Sequence, residues 1–372
     1  MNLNKLYIST AALAVAAGIT YFINNADNSQ KEDPRVGTSI ISNEDLDKVS
    51  TLEMISGNES LTFQYDSTVS AWLLQEKYAL PADSQKVTDL VTQLKEAKLE
   101  RVASRNPKRI ADFGFEVDYI NLIDDSDKSV LSLDLGRETE SGKQLVRFAD
   151  EEVAFISSES FSVDGDPVSW LEKELLSVER DEIRSANFKL ENGDTLAVTR
   201  ESDEADWTSV DTLPEGKQLD QGAITRALNR LVSIRFTNLA DLTDPDYVAA
   251  KSHSYTIDYT LADGTTYTVL AGQRPEVRVE KEVETTNDAG ETVTEMQEEV
   301  ETDAGSVFVV LSSSKSDDPI NEYMSRTAFT ASSTLYTAAP ESLDTLLADI
   351  PESEPTPEPV QLPAGPAPEP AG

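Results

Sequence analysis

The chain has 372 residues, no cysteine, one histidine, and 69 acidic against 31 basic side chains, for a formal net charge of −38. The missing thiol excludes disulfides, thiol catalysis and cysteine-ligated zinc or iron–sulfur centres, and the charge repels nucleic acid and anionic lipid headgroups. The length is that of two or three domains. The acids are scattered along most of the chain, which reads as a solvated surface. A surface for a basic partner or for loosely held cations is the sharper alternative.

Leu6 to Ile23 reads LYISTAALAVAAGITYFI and carries no charge. That is the short end of what spans a bilayer as a helix. Lys5 precedes it, and Asp27, Glu32 and Asp33 follow it. Positive charge stays cytoplasmic, so the N-terminus is expected inside and the bulk of the chain outside the cytoplasmic membrane. Ala12-Leu-Ala14 and Ala14-Val-Ala16 would serve as signal-peptide cleavage sites. The apolar run continues past both to Tyr21, Phe22 and Ile23, which favours an uncleaved single-pass anchor over residues 1–25. Residues 26–48 are expected to form a linker.

The middle of the chain is written twice. Leu61, Phe63 and Trp72 recur as Leu196, Val198 and Trp207, offset by 135. Asp83, Val87, Val91, Leu94 and Leu99 recur as Asp220, Ile224, Leu228, Leu231 and Phe236, offset by 137. Tyr119, Asp127, Leu133 and Gly136 recur as Tyr255, Asp263, Val269 and Gly272, offset by 136. Nearly constant offsets over about 75 residues indicate duplication. The expected units are 49–180 and 181–350.

In each unit, alternating apolar residues lead into a strand bearing the tryptophan, read as a core anchor. An N-capping Asp (Asp83, Asp220) opens a helix with one apolar stripe. Hairpin strands follow, joined at Asp124–Asp127 and at Asp263-Gly264. Further strands lie near Leu145–Phe148 and Val153–Ile156, then a helix around Val168–Leu176. Val277–Val279, Val307–Leu311 and a helix at Ile320–Met324 are the expected counterparts. The fold class is α+β: two tandem homologous domains of antiparallel strands with packed helices. Residues 280–304 form an insertion rich in Glu and Thr, read as a solvated β-hairpin arm or as a partner-binding arm. Residues 351–372 alternate proline and acid, as a disordered spacer does.

Chemistry is sparse. His253 is the one imidazole and reads as a loop residue. No G-x-S-x-G occurs, and zincin chemistry needs a second histidine. Asp124, Asp125 and Asp127, and Asp164-Gly-Asp166, resemble no spaced calcium loop and read as turns. Carboxylates are so numerous that a carboxylate-pair hydrolase stays open. No catalytic, cofactor-binding or metal-ligating residue is assigned.

The Trp-bearing hairpin, the helix after Pro81-Ala-Asp83, the Ala111-Asp-Phe-Gly-Phe115 segment, the Leu261-Ala-Asp-Gly-Thr265 hairpin and Gly272 together resemble the bacterial DUF4340 family over about residues 50 to 350. The segment Phe113-Gly-Phe115 and the glycine-free Tyr247-Val-Ala249 depart from its pattern. The resemblance implies an envelope protein with one N-terminal anchor, encoded beside ABC-type transporter components and auxiliary proteins first linked to gliding motility. The expected role is therefore a non-enzymatic accessory or scaffold contacting transporter subunits or other envelope proteins, and no nucleic acid. The alternative is a periplasmic polysaccharide- or peptide-binding module using a groove between the two repeats.

Overall fold

The computed structural model describes residues 33–286 and 292–351. The expected anchor over Leu6–Ile23 and the tail beyond Pro351 lie outside the described residues. Among the described residues no helix is long and apolar enough to cross a membrane. The chain divides into two compact units after Lys173. Each is built on a nine-stranded antiparallel sheet with a few short helices, an α+β architecture.

The first unit contains helix α1 (Asn43–Leu46), strands β1 (Val49–Ser56), β2 (Glu59–Asp66), β3 (Ala71–Leu74) and β4 (Leu80–Pro81), and helix α2 (Ser84–Glu96). Then come β5 (Leu99–Ser104), helix α3 (Pro107–Ala111), β6 (Asp118–Asp124), β7 (Ser129–Glu138), β8 (Gln144–Phe148) and β9 (Ala154–Ser157). The sheet order is β4-β3-β2-β1-β6-β7-β8-β9-β5. One face is apolar, because cross-strand neighbours coincide in burial. Leu52 opposes Phe63 and Leu122, and Met54 opposes Leu61 and Ile120. All are buried. Asp83 caps α2 by accepting the N–H groups of Gln85 and Lys86, and Val87, Leu90 and Leu94 form its buried stripe.

The second unit contains β10 (Glu174–Ser177), β11 (Ile183–Lys189), β12 (Thr195–Thr199), β13 (Thr208–Ser209), β14 (Lys217–Leu219) and helix α4 (Gln221–Asn229). It continues with β15 (Ser233–Ala240), helix α5 (Pro245–Ala250), β16 (Ser254–Leu261), β17 (Thr266–Gln273), β18 (Val277–Thr286) and β19 (Thr292–Thr302). It ends with β20 (Val307–Ser313), helix α6 (Pro319–Arg326), β21 (Ala328–Ala331), helix α7 (Thr334–Thr337) and β22 (Leu347–Asp349). Its main sheet runs β13-β12-β11-β16-β17-β20-β21-β15-β10. From β13 to β15 this repeats the first unit's order from β3 to β5. Asp220 caps α4 by accepting the N–H of Ala223.

Several expectations need correction. Residues 33–48 are packed structure, not linker. Ile40 and Ile41 are buried, and Ile40 donates its N–H to the Ala97 carbonyl beside β5. The unit boundary falls at Lys173 because β10 pairs with β15 of the second sheet. Residues 168–176 are not a helix: a 3-10 turn spans Pro167–Trp170, and Leu171 then bridges to Ala82. Its counterpart is the 3-10 turn Leu343–Leu346 leading into β22, which pairs with β14. The Asp83 N–H meets the Trp170 carbonyl as the Asp220 N–H meets that of Leu346. Helix α6 is an addition between β20 and β21.

Trp72 is only half-buried, against Tyr65. The core tryptophan of the first unit is Trp170, edge-on to Phe63 at 5.4 Å. Strand pairing also moves two equivalences by one residue. Met54 faces Ile120 where Phe188 faces Ile257, so Tyr119 corresponds to Thr256 and not to Tyr255. A one-residue slip reverses sheet faces, which is why Tyr255 is buried and Tyr119 only half-buried. The left-handed turn residue Asp127 likewise matches Gly264.

Gly136 and Gly272 hold as equivalents, and the reason is steric. Here the chain after α3 or α5 presses against the sheet. The N–H of Arg137 donates to the Phe113 carbonyl (2.8 Å), and that of Gln273 to the His253 carbonyl (3.0 Å). A Cβ on Gly136 would lie 2.8 Å from Phe113 O, and one on Gly272 only 2.1 Å from Ala250 O. Gly272→Ala is expected to lower the unfolding free energy by about 2–4 kcal/mol, through displacement of α5. An unchanged urea midpoint would contradict this close approach.

The first unit is closed by an ion-pair knot. Asp33 is buried and accepts from Arg35 and Arg105. Arg35 also forms a bidentate pair with Glu151 (2.9 and 2.9 Å) while lying over the Phe148 and Phe155 rings. The Arg35 guanidinium holds the Asp33 carboxyl down at about 2. Its folded value lies below its unfolded value near 4. Its stabilisation is therefore complete above about pH 4 and disappears as pH falls towards 2. Asp33→Asn is expected to cost on the order of 1–2 kcal/mol at pH 7 after solvent screening. The difference from wild type should shrink towards zero in melts at about pH 2; a pH-independent difference would refute the assignment.

Candidate functional site

The polar groups with the most developed geometry lie in the second unit. His253 sits between α5 and β16, half-exposed, with Nδ1 3.4 Å from Glu191 Oε1. Glu191 belongs to the β11–β12 turn, and its other carboxylate oxygen accepts the Tyr336 hydroxyl from α7. The Tyr336 ring stacks on Tyr255 at 6.4 Å and 23°. Tyr255 comes from the inner face of β16 and donates its hydroxyl to the Leu335 carbonyl (2.6 Å). Burial pushes the Tyr336 hydroxyl pKa up, and the Glu191 carboxylate adds to this, so Tyr336 stays a hydrogen-bond donor. Burial likewise keeps Tyr255 protonated.

Glu191, Tyr255 and Tyr336 line a cleft of about 360 Å³, which Asn192, Thr337, Ala339, Pro340 and Glu341 complete; His253 lies outside it. The turn beneath it is tied down. Asp194 accepts from the Leu343 N–H (2.9 Å) and the Asn192 amide (2.8 Å), and the Leu343 N–H is the main reason its carboxyl is held below the usual range. The histidine read from sequence as a loop residue thus has a carboxylate and a tyrosine beyond it. Glu191 and Tyr336 carry no sequence signal, since each is far from His253 along the chain and joins it only through folding.

A second concavity, of about 300 Å³, surrounds Trp207. Trp207 is buried under the Arg200 guanidinium, 4.7 Å above its ring. The pair occupies the cross-strand position that Tyr65 and Trp72 hold in the first unit. Arg200 donates to the carbonyls of Ile183, Arg180 and Asp203. Its N–H groups fasten loops over the tryptophan.

The aspartate clusters are turns. The Asp124 carboxylate accepts from the N–H groups of Ser126 and Lys128 and from the Ser126 hydroxyl. Asp164 accepts from the Asp166 N–H and the Ser169 hydroxyl, and Asp166 caps the Pro167–Trp170 turn. Among the described residues no group of three His, Asp or Glu side chains is placed to hold a metal ion.

The insertion read at 280–304 is a β-hairpin arm. Strands β18 and β19 pair only with each other, from Val277–Thr302 to Thr286–Thr292. In the first unit the same connection, β7 to β8, is the short turn Thr139–Lys143. The arm's root is clamped: Arg274 pairs with Asp246 of α5 (2.5 Å) and donates to the Asp303 carbonyl, and the Gln273 amide donates to Gly305 O. Val277, Met296 and Val300 are exposed on it.

Residues 72–253 match the family model described as a domain of unknown function (DUF4340). The match begins at Trp72 in β3 and ends at His253, so it takes in the later part of one unit and the earlier part of the next. No curated protein and no solved structure matches the chain.

Proposed function

We propose, for a chain that belongs to the DUF4340 family, the role of an anchored extracytoplasmic accessory protein. It presents two copies of one frame beside an ABC-type transport complex and has no catalysis of its own. The observation that carries this reading is the arm. A two-stranded sheet alone is marginally stable in water, yet this one is clamped at its root and leaves apolar residues exposed. The frame does not need it, since the first unit makes the same connection with a turn. Its strands carry seven acidic and two basic residues. Such a surface suits a partner that offers basic groups and an apolar patch. The segment Leu6–Ile23 supplies the anchor in this reading, on the strength of its uncharged length and the lysine before it.

Co-purification from several mild detergents tests both parts. The recovered chain should retain Leu6–Ile23 by mass and bring transporter subunits with it. Replacing residues 275–304 by the Thr139–Lys143 turn should leave the melting temperature within a few degrees and abolish recovery of the partner. A chain cleaved after Ala14 or Ala16 would refute the anchor. Recovery of no subunit would refute the transporter association, and equal recovery with the shortened variant would refute the arm's part in it.

A further inference from the structure

We propose that the cleft beside Tyr336 is a binding site for a neutral saccharide, in the second unit alone and independent of the arm. The cleft's lining sets the ligand's chemistry. Glu191 and Glu341 contribute carboxylates and no lysine or arginine lines the cleft itself, Arg226 and Arg230 facing the adjoining concavity on the other side of Pro340, so phosphates and anionic sugars are disfavoured. The unengaged groups are mostly acceptors. Glu191 has lone pairs beyond the one that accepts the Tyr336 hydroxyl, and Glu341 makes no hydrogen bond or ion pair among the described residues. The Thr337 hydroxyl donates to the Ser333 carbonyl (3.1 Å), which leaves its oxygen free to accept. The Asn192 amide spends one proton on Asp194 and keeps the other. A ligand covered in hydroxyls meets several acceptors and one donor in such a site.

Beside these polar groups are Pro340 and the Tyr336 ring, a surface for the C–H face of a sugar. Tyr336 is held in place from two sides, by the stack on Tyr255 and by its bond to Glu191. The site is therefore pre-formed, which lowers the ordering cost of binding. Two carboxylates also attract a cation, but the Pro340 and Tyr336 surface and the spare Asn192 proton serve a hydroxylated ligand with an apolar face, so a polyamine is the competing ligand to test. In the first unit the corresponding place is filled. Ser56 donates to the Val163 carbonyl, and Gly165 lies so near that a Cβ on it would be 3.3 Å from Ser56.

The test is calorimetric titration of the full chain, in a detergent without a sugar headgroup, with maltotriose, cellotriose, chitotriose and spermidine. At least one saccharide should give saturable heat. Glu191→Gln should weaken it at least tenfold and Tyr336→Phe several-fold, with both variants melting cooperatively. Asn192→Ala removes the turn bonds to Asp194 as well, so it should weaken binding while still melting cooperatively within a few degrees of wild type, which separates loss of binding from loss of fold. Saturable binding of spermidine alone, no heat with any saccharide, or saccharide binding indifferent to all three substitutions would each overturn the proposal.

Discussion

The first unit depends on the length of one helix. Helix α2 has 13 residues, about 20 Å at 1.5 Å per residue. It connects β4, at one edge of the sheet, to β5 at the other. Nine strands laid flat at about 4.8 Å spacing would put those edges on the order of 38 Å apart. With the links at its two ends fully extended the connection only just covers that distance, so a sheet curled round the helix is the arrangement that this short connection and strand twist favour. A second connection makes the same crossing: Ser158 bonds to Lys98 beside β5, and Leu171 bridges to Ala82 after β4. The apolar face of the sheet and the stripe of Val87, Leu90 and Leu94 then enclose one core. The second unit repeats the device with the shorter α4 and passes its pre-helix strand β14 to β22.

The rest of the frame is fixed by close approach. Gly136 and Gly272 admit a carbonyl where no side chain fits, and this seats α3 and α5. Each seat has its own small core. Ile110 and Phe115 pack with Leu145, Ala154 and Ile156 in one unit, and Tyr247 and Ala250 with Phe308 and Ala328 in the other. These shared parts build the fold. The arm, α6 and the Tyr336 cleft are departures of the second copy. Duplication keeps the frame in both copies and leaves one of them free to acquire such surfaces.

The duplication was readable because Trp, N-cap Asp and Gly are residues that local geometry demands. The Asp83 and Asp220 caps and the Gly272 position follow from rules acting over a few residues. What escaped reading depended on pairing across the chain. The Tyr119–Tyr255 equivalence looked sound by offset, yet strand register placed the two residues on opposite faces. Trp72 looked like the core anchor because it recurs, whereas Trp170, with no tryptophan counterpart, fills the core. The Asp33–Arg35–Glu151 knot joins residues more than a hundred positions apart, so Asp33 read as the polar flank of a membrane segment. The Tyr336 cleft was hidden for the same reason. The arm was legible as an insertion because its composition differs from everything around it.

If partner recognition belongs to the second copy's additions, contact should be confined to them in the membrane. A photoreactive amino acid at Met296 or Val300 on the arm can be compared with one at Val69 or Val117, which are equally exposed in the first unit. Irradiation of intact cells is expected to give discrete crosslinked species from the arm positions and none from the first unit. Equal crosslinking from Val69 or Val117, or none from the arm, would contradict the division of labour between the two copies.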